Sequence, residues 1–464
     1  MFAEEMDRSR GFCRSNRTLM TSFNQLQIDD VKSVWHPYTQ HQTALPPIPI
    51  VEASGQYLYS ADGKCYTDFI ASWWVNIHGH CHPCISKAIA SQALTLDHVM
   101  FAGFTHEPAS KLATRLIEET GFSEGKVFYS DNGSTAVESA LKIAIQYWKN
   151  IGTPRNRVIA FNGAYHGDTF GAMSVGKTSG FFNHFRDYFF SVDFFSPPNC
   201  WHGHDVAIHD AEAIELFHNY LIHNADQCVA VIVEPLVQGS LGMKMHSPFF
   251  LEQFCKLAKQ YGVLVIFDEV MTGFGRTGQM FAYKHLSIKP DILCLSKGIT
   301  GGTLPLGATI VGQSIFDSFK GDSFASALAH GHSYTANPIA CSAANASLDI
   351  FKSDKTMEKI KVIEKWLLTH FLKQFLENPL CENTRVLGCI AATEIKYQAS
   401  EYASKYSQQL QQKLLSKGFL IRPLGNVIYL MPPYCISEND IKTGCVSISE
   451  TIEEVYYEMG NQQY

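Results

Sequence analysis

Short apolar runs alternate with amphipathic helical stretches through the middle of the chain. Five of these runs have the length and composition of buried strands: residues 126–130, 157–161, 229–233, 263–267 and 291–295. After the first run, Val137, Leu141 and Trp148 recur at helical spacing and would share one helix face. Strands that alternate with helices in this way predict a doubly wound α/β domain with a mostly parallel sheet.

Polar or charged side chains follow these runs at the points where they stop. They are Ser134, Tyr165, Glu234, Asp268 and Lys297. The carboxyl ends of parallel strands meet at one edge of a sheet, where open α/β sheets bind their ligands. A buried lysine there can attack a carbonyl carbon, and an acid can hold a protonated pyridine nitrogen. Either residue type alone is more often an ordinary strand-end or surface group.

The turn that follows residues 126–130 has the form of a phosphate site. It contains Gly133 and Ser134 in the sequence DNGS, directly before a helix. The free N–H groups and the dipole at a helix N-terminus favour an anion. The turn is neither a Walker loop nor a GxGxxG motif, and many α/β proteins have such turns without a ligand. Tyr165, in the segment NGAYHGDTF, would either stack on a planar cofactor or pack within its own loop.

The pattern divides the chain into four parts. Residues 1–28 lack a regular period over most of their length and are expected to be a disordered extension. Residues 29–75 begin with a short helix and continue into a β-meander, and we expect this segment to pack with the small domain. Residues 76–348 hold the long series of strands and helices and form the predicted large domain. Shorter strands in residues 349–464, including one over 386–395, predict a smaller α+β domain.

Composition sets the broad class of protein. The 464 residues are 46% hydrophobic and 17% charged, as in globular proteins. The net charge of −7 comes with no basic patch for nucleic acid, and no apolar run reaches the length that spans a membrane. Thirteen scattered cysteines indicate reduced thiols and a cytoplasmic protein. The cluster from His78 to Cys84 has no second ligand pair at zinc spacing, so we expect no bound metal.

Six segments together carry a family resemblance. They are SDNGS, YHGDTFGAMSVG, VEPLVQG, FDEVMTGFGRTG, LSKGITGG and HGHSYTANP. With them the chain resembles the class III, pyridoxal-phosphate-dependent aminotransferases of fold type I, over about residues 30–455. The resemblance implies an enzyme that binds pyridoxal 5′-phosphate and transfers an amino group by a ping-pong route through pyridoxamine phosphate.

The resemblance also implies a role for individual residues. As catalytic residues, Lys297 would form the Schiff base, Asp268 would pair with the pyridinium nitrogen, and Tyr165 would stack on the ring. The implied cofactor-binding set is Gly133, Ser134, Tyr165, Gln238, Asp268, Lys297, His332 and Ser333, the last two from the other subunit of a homodimer with shared active sites. The implied substrate-binding set is Tyr38, Trp73, Trp74, Tyr165, Lys297, Gly331 and Arg422, with Asp168 and Arg276 at the entrance. His332 and Ser333 stand where Pro-Thr is frequent in the family, and the serine keeps a hydroxyl for the phosphate.

With four further segments, WHPYTQ, ASWWVNIHGH, LIRPLGNVIYLMPPY and VLGCIAATE, the resemblance also implies particular substrates. They are S-adenosyl-L-methionine as amino donor and 8-amino-7-oxononanoate as acceptor, which give 7,8-diaminononanoate in biotin synthesis. Lysine stays open as the donor, because the sequence does not report directly on it. Another class III ω-amino acid aminotransferase is the nearest alternative, and it would not need Tyr38, Trp73 and Trp74. A non-catalytic pyridoxal-phosphate-binding protein is disfavoured by the intact Lys297 and Asp268.

Overall fold

A computed structural model of the chain describes residues 23–177, 180, 182–198, 201, 205–397 and 404–460. Residues 1–22 of the predicted extension lie outside the described residues. A first helix, α1, spans Phe23–Ser33. Residues 23–28 are thus helical rather than part of a disordered extension.

The large central sheet contains the five runs that the sequence pattern singled out, and two more strands. Its strands are β4 (Lys126–Ser130), β5 (Arg157–Phe161), β6 (Val192–Phe195), β7 (Cys228–Val233), β10 (Leu264–Asp268), β11 (Ile292–Leu295) and β12 (Gly307–Val311). They lie in the order β4-β12-β11-β10-β7-β5-β6. Strand β12 runs antiparallel to both of its neighbours, and the other pairs are parallel. The predicted mostly parallel sheet is confirmed.

Both faces of this sheet are buried. In β10, Val265 and Phe267 belong to one hydrophobic cluster, whereas Ile266 between them belongs to another. Strands covered on both faces are apolar throughout instead of alternating with polar residues. This is why the strands could be located from short apolar runs alone.

Helices connect the strands and supply both covers. They are α2 (Ala71–Trp74), α3 (Pro83–Thr95), α4 (Glu107–Thr120), α5 (Gly133–Asn150), α6 (Phe170–Ser174), α7 (Val206–Asn224), α8 (Pro248–Gln260), α9 (Gln313–Asp317) and α10 (Pro338–Ser353). Short 3-10 turns span Asn183–Tyr188, Ala225–Gln227, Ala282–His285, Lys297–Thr300 and Phe324–Ser326. Helix α5 directly follows β4, so its N-terminus lies at the carboxyl edge of the sheet.

Two smaller sheets and one short pair of strands complete the fold. One joins β1 (Ile50–Ser54), β2 (Tyr57–Ser60), β3 (Cys65–Asp68) and β15 (Phe419–Leu420), and the other joins β13 (Cys381–Leu387), β14 (Ile390–Ile395) and β16 (Val427–Leu430); the pair is β8 (Val237–Gln238) and β9 (Lys244–Met245). The remaining helices are α11 (Thr356–Trp366), a π-turn (Leu367–Leu372), α12 (Lys373–Glu377), α13 (Lys405–Ser416) and α14 (Glu438–Gly460).

Two details of the C-terminal part differ from the sequence pattern. The single strand predicted over residues 386–395 is wrong, because Gly388 has a φ of 58° and turns the chain from β13 into the antiparallel β14. The predicted boundary after residue 348 falls inside α10. Strand β3 pairs with β15, so the N-terminal segment and the C-terminal part share a sheet.

Candidate active site

Two cavities meet at Lys297 on the carboxyl edge of the central sheet. The first has a volume of about 460 Å³ and is lined by ends of β4, β10 and β11 and by the start of α5. The second has a volume of about 410 Å³ and opens toward the N-terminal segment. Trp74, Val75, Tyr165 and Lys297 line both cavities. A ligand in the first cavity would therefore meet a ligand in the second at the lysine.

Lys297 is held in a strained backbone position just after β11. Its φ is 45°, in the left-handed region that a residue with a side chain rarely adopts. Burial lowers the pKa of Lys297 to about 8, although Asp268 and Glu234 act in the opposite direction. The Nζ atom lies 4.7 Å from the centre of the Trp74 ring. A lysine with this pKa is partly unprotonated near neutrality and can act as a nucleophile or base.

Asp268 is the last residue of β10 and is 4% exposed. Its Oδ2 atom lies 2.7 Å from Nδ1 of His166, and its Oδ1 atom accepts a hydrogen bond of 3.0 Å from the N–H of Val270. The other imidazole nitrogen of His166, Nε2, is buried without a hydrogen-bond partner among the described residues. The carboxylate is thus fixed from two sides at the edge of the first cavity.

The start of α5 lies directly after β4, at the glycine turn for which the sequence predicts a phosphate site. Asn132 and Thr135 make a capping box, since the Asn132 side chain accepts from the Thr135 N–H at 3.0 Å and the Thr135 hydroxyl accepts from the Asn132 N–H at 3.1 Å. Gly133 begins the helix, and a Cβ atom there would lie 2.6 Å from Cγ1 of Val270. The glycine leaves room between the helix N-terminus and β10, and both sides of this gap line the first cavity.

A second loop meets the same turn. The Ser134 hydroxyl accepts a hydrogen bond of 3.1 Å from the N–H of Asp168. Gly167 has a φ of 125°, and a Cβ atom there would overlap Ser134. The loop after β5 can therefore approach the helix start only with glycine at this position.

Tyr165 forms a wall shared by the two cavities. Its ring is nearly parallel to that of Phe182, with 6.2 Å between the ring centres. Its hydroxyl lies 3.4 Å from the Tyr38 hydroxyl. Burial, followed by the Tyr38 hydroxyl, raises the pKa of Tyr165 well above its ordinary value, so the phenol stays protonated. The exposed edge of this wall is closed by the Tyr38 hydroxyl, which donates to the Asp168 carboxylate at 2.7 and 2.8 Å.

The second cavity has aromatic walls, and its lining includes Arg422 in addition to Lys297. Tyr38 meets the Trp73 ring edge to face at 5.7 Å, and the Arg422 guanidinium lies 4.1 Å from the centre of the Trp73 ring. Trp74 donates from Nε1 to the Tyr429 hydroxyl at 2.9 Å. The backbone at Ala71, Ser72 and Trp74 has positive φ values of 49°, 61° and 68°. This strained turn is what presents both tryptophans to the same site.

Some predicted site residues do not line these cavities within the chain, and their roles stay predictions. Gln238 is buried and donates to the Asn162 carbonyl at 3.1 Å, and it does not line the first cavity. Gly331, His332 and Ser333 line neither cavity of their own chain, which leaves their role toward a second subunit a prediction.

Arg276 does not lie at the entrance. It is 1% exposed and donates to the carbonyl oxygens of Trp74, Asn76 and Pro432 at 3.3, 3.2 and 2.8 Å. The buried guanidinium thus supports the turn of α2 from beneath the cavity. The sequence motif around Arg276 could not distinguish this internal role from a surface one.

Two residues that line the first cavity were given no function from the sequence. His166 pairs with Asp268, and Glu234 accepts hydrogen bonds from the N–H groups of Tyr165 and Gly239 at 3.0 and 2.9 Å. Both follow apolar strand runs, and that signal had already marked Glu234. In the cluster from His78 to Cys84, for which no bound metal was expected, Nε2 of His78 lies 3.0 Å from the Ser347 hydroxyl. No group of three or more His, Cys, Asp or Glu side chains that could hold a metal ion occurs among the described residues.

The match to a protein-family model gives the class of protein that this fold and site suggest. The family model described as Aminotransferase class-III matches residues 38–452. The chain belongs to the class III aminotransferases and is an aminotransferase. Within the described part of the chain, no helix is long and apolar enough to cross a membrane.

The chain is similar to two proteins that share one name and to a third transaminase of known structure. The adenosylmethionine-8-amino-7-oxononanoate aminotransferase of Synechococcus elongatus is 45% identical over 423 residues, which cover 91% of this chain and 99% of that protein. The crystal structure of the enzyme of the same name from Methanocaldococcus jannaschii has a TM-score of 0.85 and 36% identity, covering 93% of this chain and 99% of that one. An amine transaminase from an uncultivated Pseudomonas species, solved in its PLP-bound form, has a TM-score of 0.82 and 29% identity, covering 92% and 98%.

The enzyme uses pyridoxal 5′-phosphate, as class III aminotransferases do. The residues of the first cavity fit this cofactor. A helix N-terminus with Gly133 and Ser134 suits a phosphate, a fixed carboxylate at Asp268 suits a protonated ring nitrogen, and Lys297 supplies an amine for the aldehyde. Tyr165 offers a flat wall between these groups.

Proposed function

We propose that this enzyme transfers the amino group of S-adenosyl-L-methionine to 8-amino-7-oxononanoate and so forms 7,8-diaminononanoate, a step of biotin synthesis. The names of the relatives from Synechococcus elongatus and Methanocaldococcus jannaschii support this choice of substrates. One observation in this chain carries it. Tyr38 and Arg422 both contact Trp73 in the second cavity, and this cavity reaches Lys297.

We infer how the cofactor is held from the first cavity. Gly133 and Ser134 would bind its phosphate, Asp268 would face its ring nitrogen, and Tyr165 would cover its ring. Gln238 would lie near the ring hydroxyl by family resemblance, although its amide donates to Asn162 in this chain. His332 and Ser333 of the partner subunit would complete the phosphate site in a homodimer.

The chemistry then follows from the groups around Lys297. Pyridoxal phosphate supplies a ring that withdraws electrons from the carbon next to the transferred nitrogen. With the cofactor bound, Lys297 Nζ would take up and give back the proton of that carbon, because its lowered pKa allows both protonation states near neutrality. Asp268 would keep a proton on the ring nitrogen. The contacts with His166 and Val270 hold the Asp268 carboxylate in the orientation that this requires.

One pocket has to accept two different substrates in turn. The aromatic faces of Tyr38, Trp73 and Trp74 suit the sulfonium cation of the donor through cation–π attraction. The same faces suit the aliphatic chain of the acceptor through apolar packing. Arg422 provides a planar, permanently charged partner for the acceptor's carboxylate.

Another class III ω-amino acid aminotransferase is the alternative function, since it would share every cofactor contact. The aromatic set of the second cavity favours the first proposal, because a small ω-amino acid would leave much of that wall uncovered. Lysine also stays possible as the donor. We further infer a homodimer from the family resemblance, and a cytoplasmic location from the cysteines. The cysteines among the described residues are free thiols, which suits a reducing compartment.

The test is product formation from purified protein loaded with pyridoxal phosphate. Incubation with 8-amino-7-oxononanoate and S-adenosyl-L-methionine should give 7,8-diaminononanoate, and Lys297→Ala should give none. Lysine, 4-aminobutyrate and ornithine are tested as donors in parallel. Activity with 4-aminobutyrate and none with S-adenosyl-L-methionine would overturn the assignment in favour of the alternative.

A further inference from the structure

Glu234 is a buried acid in the wall of the first cavity, and family resemblance gave it no role. It directly follows β7 and is 5% exposed. Its two carboxylate oxygens have separate partners: Oε1 accepts from the Tyr165 N–H at 3.0 Å, and Oε2 accepts from the Gly239 N–H at 2.9 Å. A single carboxylate thus bridges two loops that follow different strands.

Each of these loops supports a different part of the site. Tyr165 is the wall shared by both cavities. Gly239 lies beneath Trp74, since a Cβ atom at this glycine would be 3.3 Å from the Trp74 ring and 3.0 Å from Met271. The Glu234 carboxylate therefore connects the face that would cover the cofactor to the backbone on which the substrate tryptophan rests.

Only an ionised acid satisfies both contacts fully. A carboxylate accepts at both oxygens, whereas a glutamine of the same shape has one acceptor and would present an NH₂ group to one of the two N–H donors. A buried N–H group that loses its acceptor costs free energy comparable to a lost hydrogen bond. Replacement of Glu234 by the isosteric glutamine would therefore break one of the two hydrogen bonds.

The charge of Glu234 also acts on the lysine. Among the charged groups that affect Lys297, Asp268 and Glu234 raise its pKa and Arg276 lowers it, against the dominant lowering by burial. Burial raises the pKa of Glu234 itself to about 7, while His166 lowers it and Asp268 raises it. Above neutral pH the carboxylate is charged and favours the protonated form of the Lys297 amine.

We propose that Glu234 is a positioning residue of the aminotransferase site, whose carboxylate fixes Tyr165 and Gly239 relative to each other. The inference rests on the proposed function only through cofactor binding, not through the identity of the substrates. Glu234 needs no contact with either substrate to act in this way.

The experiment compares Glu234→Gln with a matched control, Glu269→Gln. Glu269 is also fully buried, its pKa is also raised to about 7 by burial, and it also accepts two backbone N–H bonds, from Ala282 at 2.6 Å and Tyr283 at 2.8 Å. Glu269 lines neither cavity. The two variants therefore remove the same kind of buried acid inside and outside the site.

Three quantities are measured on each full-length variant. They are the Kd of pyridoxal phosphate by absorbance titration of the apoprotein, the visible circular dichroism of the bound cofactor, and the pH at which the rate of cofactor capture is half-maximal. For Glu234→Gln we expect a Kd raised about tenfold, since one buried hydrogen bond to a charged group is lost. We also expect altered circular dichroism and a lower half-maximal pH.

Glu269→Gln should keep the three wild-type values even if its melting temperature falls. If Glu234→Gln matches Glu269→Gln in all three, the proposal is overturned. Glu234→Asp covers the case in which the amide variant does not fold: it keeps the charge but is one methylene shorter. We expect it to raise the Kd and alter the dichroism while the half-maximal pH stays near wild type. Wild-type Kd and dichroism in Glu234→Asp would equally overturn the positioning role.

These readouts need neither an amino donor nor an acceptor. Failure of the substrate assignment would therefore leave them unchanged, because all three report on the cofactor alone. Wild-type protein that did not bind pyridoxal phosphate would contradict the proposed function itself, not the role of Glu234.

Discussion

The Nδ1 atom of His166 lies 2.7 Å from Oδ2 of Asp268, and both side chains are buried. A carboxylate can only accept hydrogen bonds, so the imidazole donates from Nδ1. The loop after β5 thereby fixes the acid at the end of β10. The orientation of the Asp268 carboxylate depends on a residue that is more than a hundred positions away along the chain.

His166→Phe should weaken binding of pyridoxal phosphate roughly tenfold to a hundredfold, because it removes a hydrogen bond to a charged group worth about 1.5–3 kcal/mol. The measurement is the Kd from absorbance titration of the apoprotein. His246→Phe is the matched control, since His246 is fully buried and neither ring nitrogen has a partner among the described residues. Equal Kd values for the two variants would contradict the role given to His166.

The pKa of about 8 for Lys297 predicts how cofactor capture depends on pH. Only the neutral amine attacks the aldehyde, so the capture rate should rise with pH and be half-maximal near pH 8. An amine with the ordinary value of 10.5 would reach that point far later. Stopped-flow absorbance of apoprotein mixed with pyridoxal phosphate gives the profile, and a free lysine side chain in a model compound corrects for titration of the cofactor. Lys297→Ala should show no capture that borohydride can fix.

Gly133→Ala should raise the Kd of the cofactor at least about tenfold. The new Cβ atom would lie 2.6 Å from Cγ1 of Val270 and push apart the two sides of the first cavity. The three atoms nearest to the new Cβ all belong to the Val270 side chain, so Gly133→Ala combined with Val270→Ala should recover most of the affinity. A double variant no better than Gly133→Ala alone would show that the clash with Val270 is not the cause.

Arg422→Ala should raise the KM for 8-amino-7-oxononanoate about a hundredfold, because a carboxylate in the second cavity would lose its charged partner. The methyl ester of the acceptor provides the control. It lacks the charge, so wild type and Arg422→Ala should use the ester with similar KM values. A loss of the same size with the ester would mean that Arg422 acts mainly by packing on Trp73, 4.1 Å away.

Much of the fold could be predicted from local pattern. Strands buried on both faces appear as apolar runs, which located β4, β5, β7, β10 and β11. The hairpin of β13 and β14 was missed because its turn depends on one glycine with positive φ inside an otherwise apolar segment. Arg276 was placed wrongly because a sequence motif does not show whether an arginine faces solvent or donates to backbone carbonyls beneath the site.

The sequence by itself determined which chemical groups stand at the strand ends. The apolar runs locate the strands, and the residues that come next are Asp268, Lys297 and the Gly133-Ser134 turn. Only the tertiary structure decided how these groups are supported. His166 meets Asp268, Glu234 meets Tyr165 and Gly239, and Arg422 lies over Trp73. Apart from the Glu234–Gly239 bond, these contacts join residues far apart in the chain, and their formation depends on sheet order and loop path. Local periodicity carries no information about either.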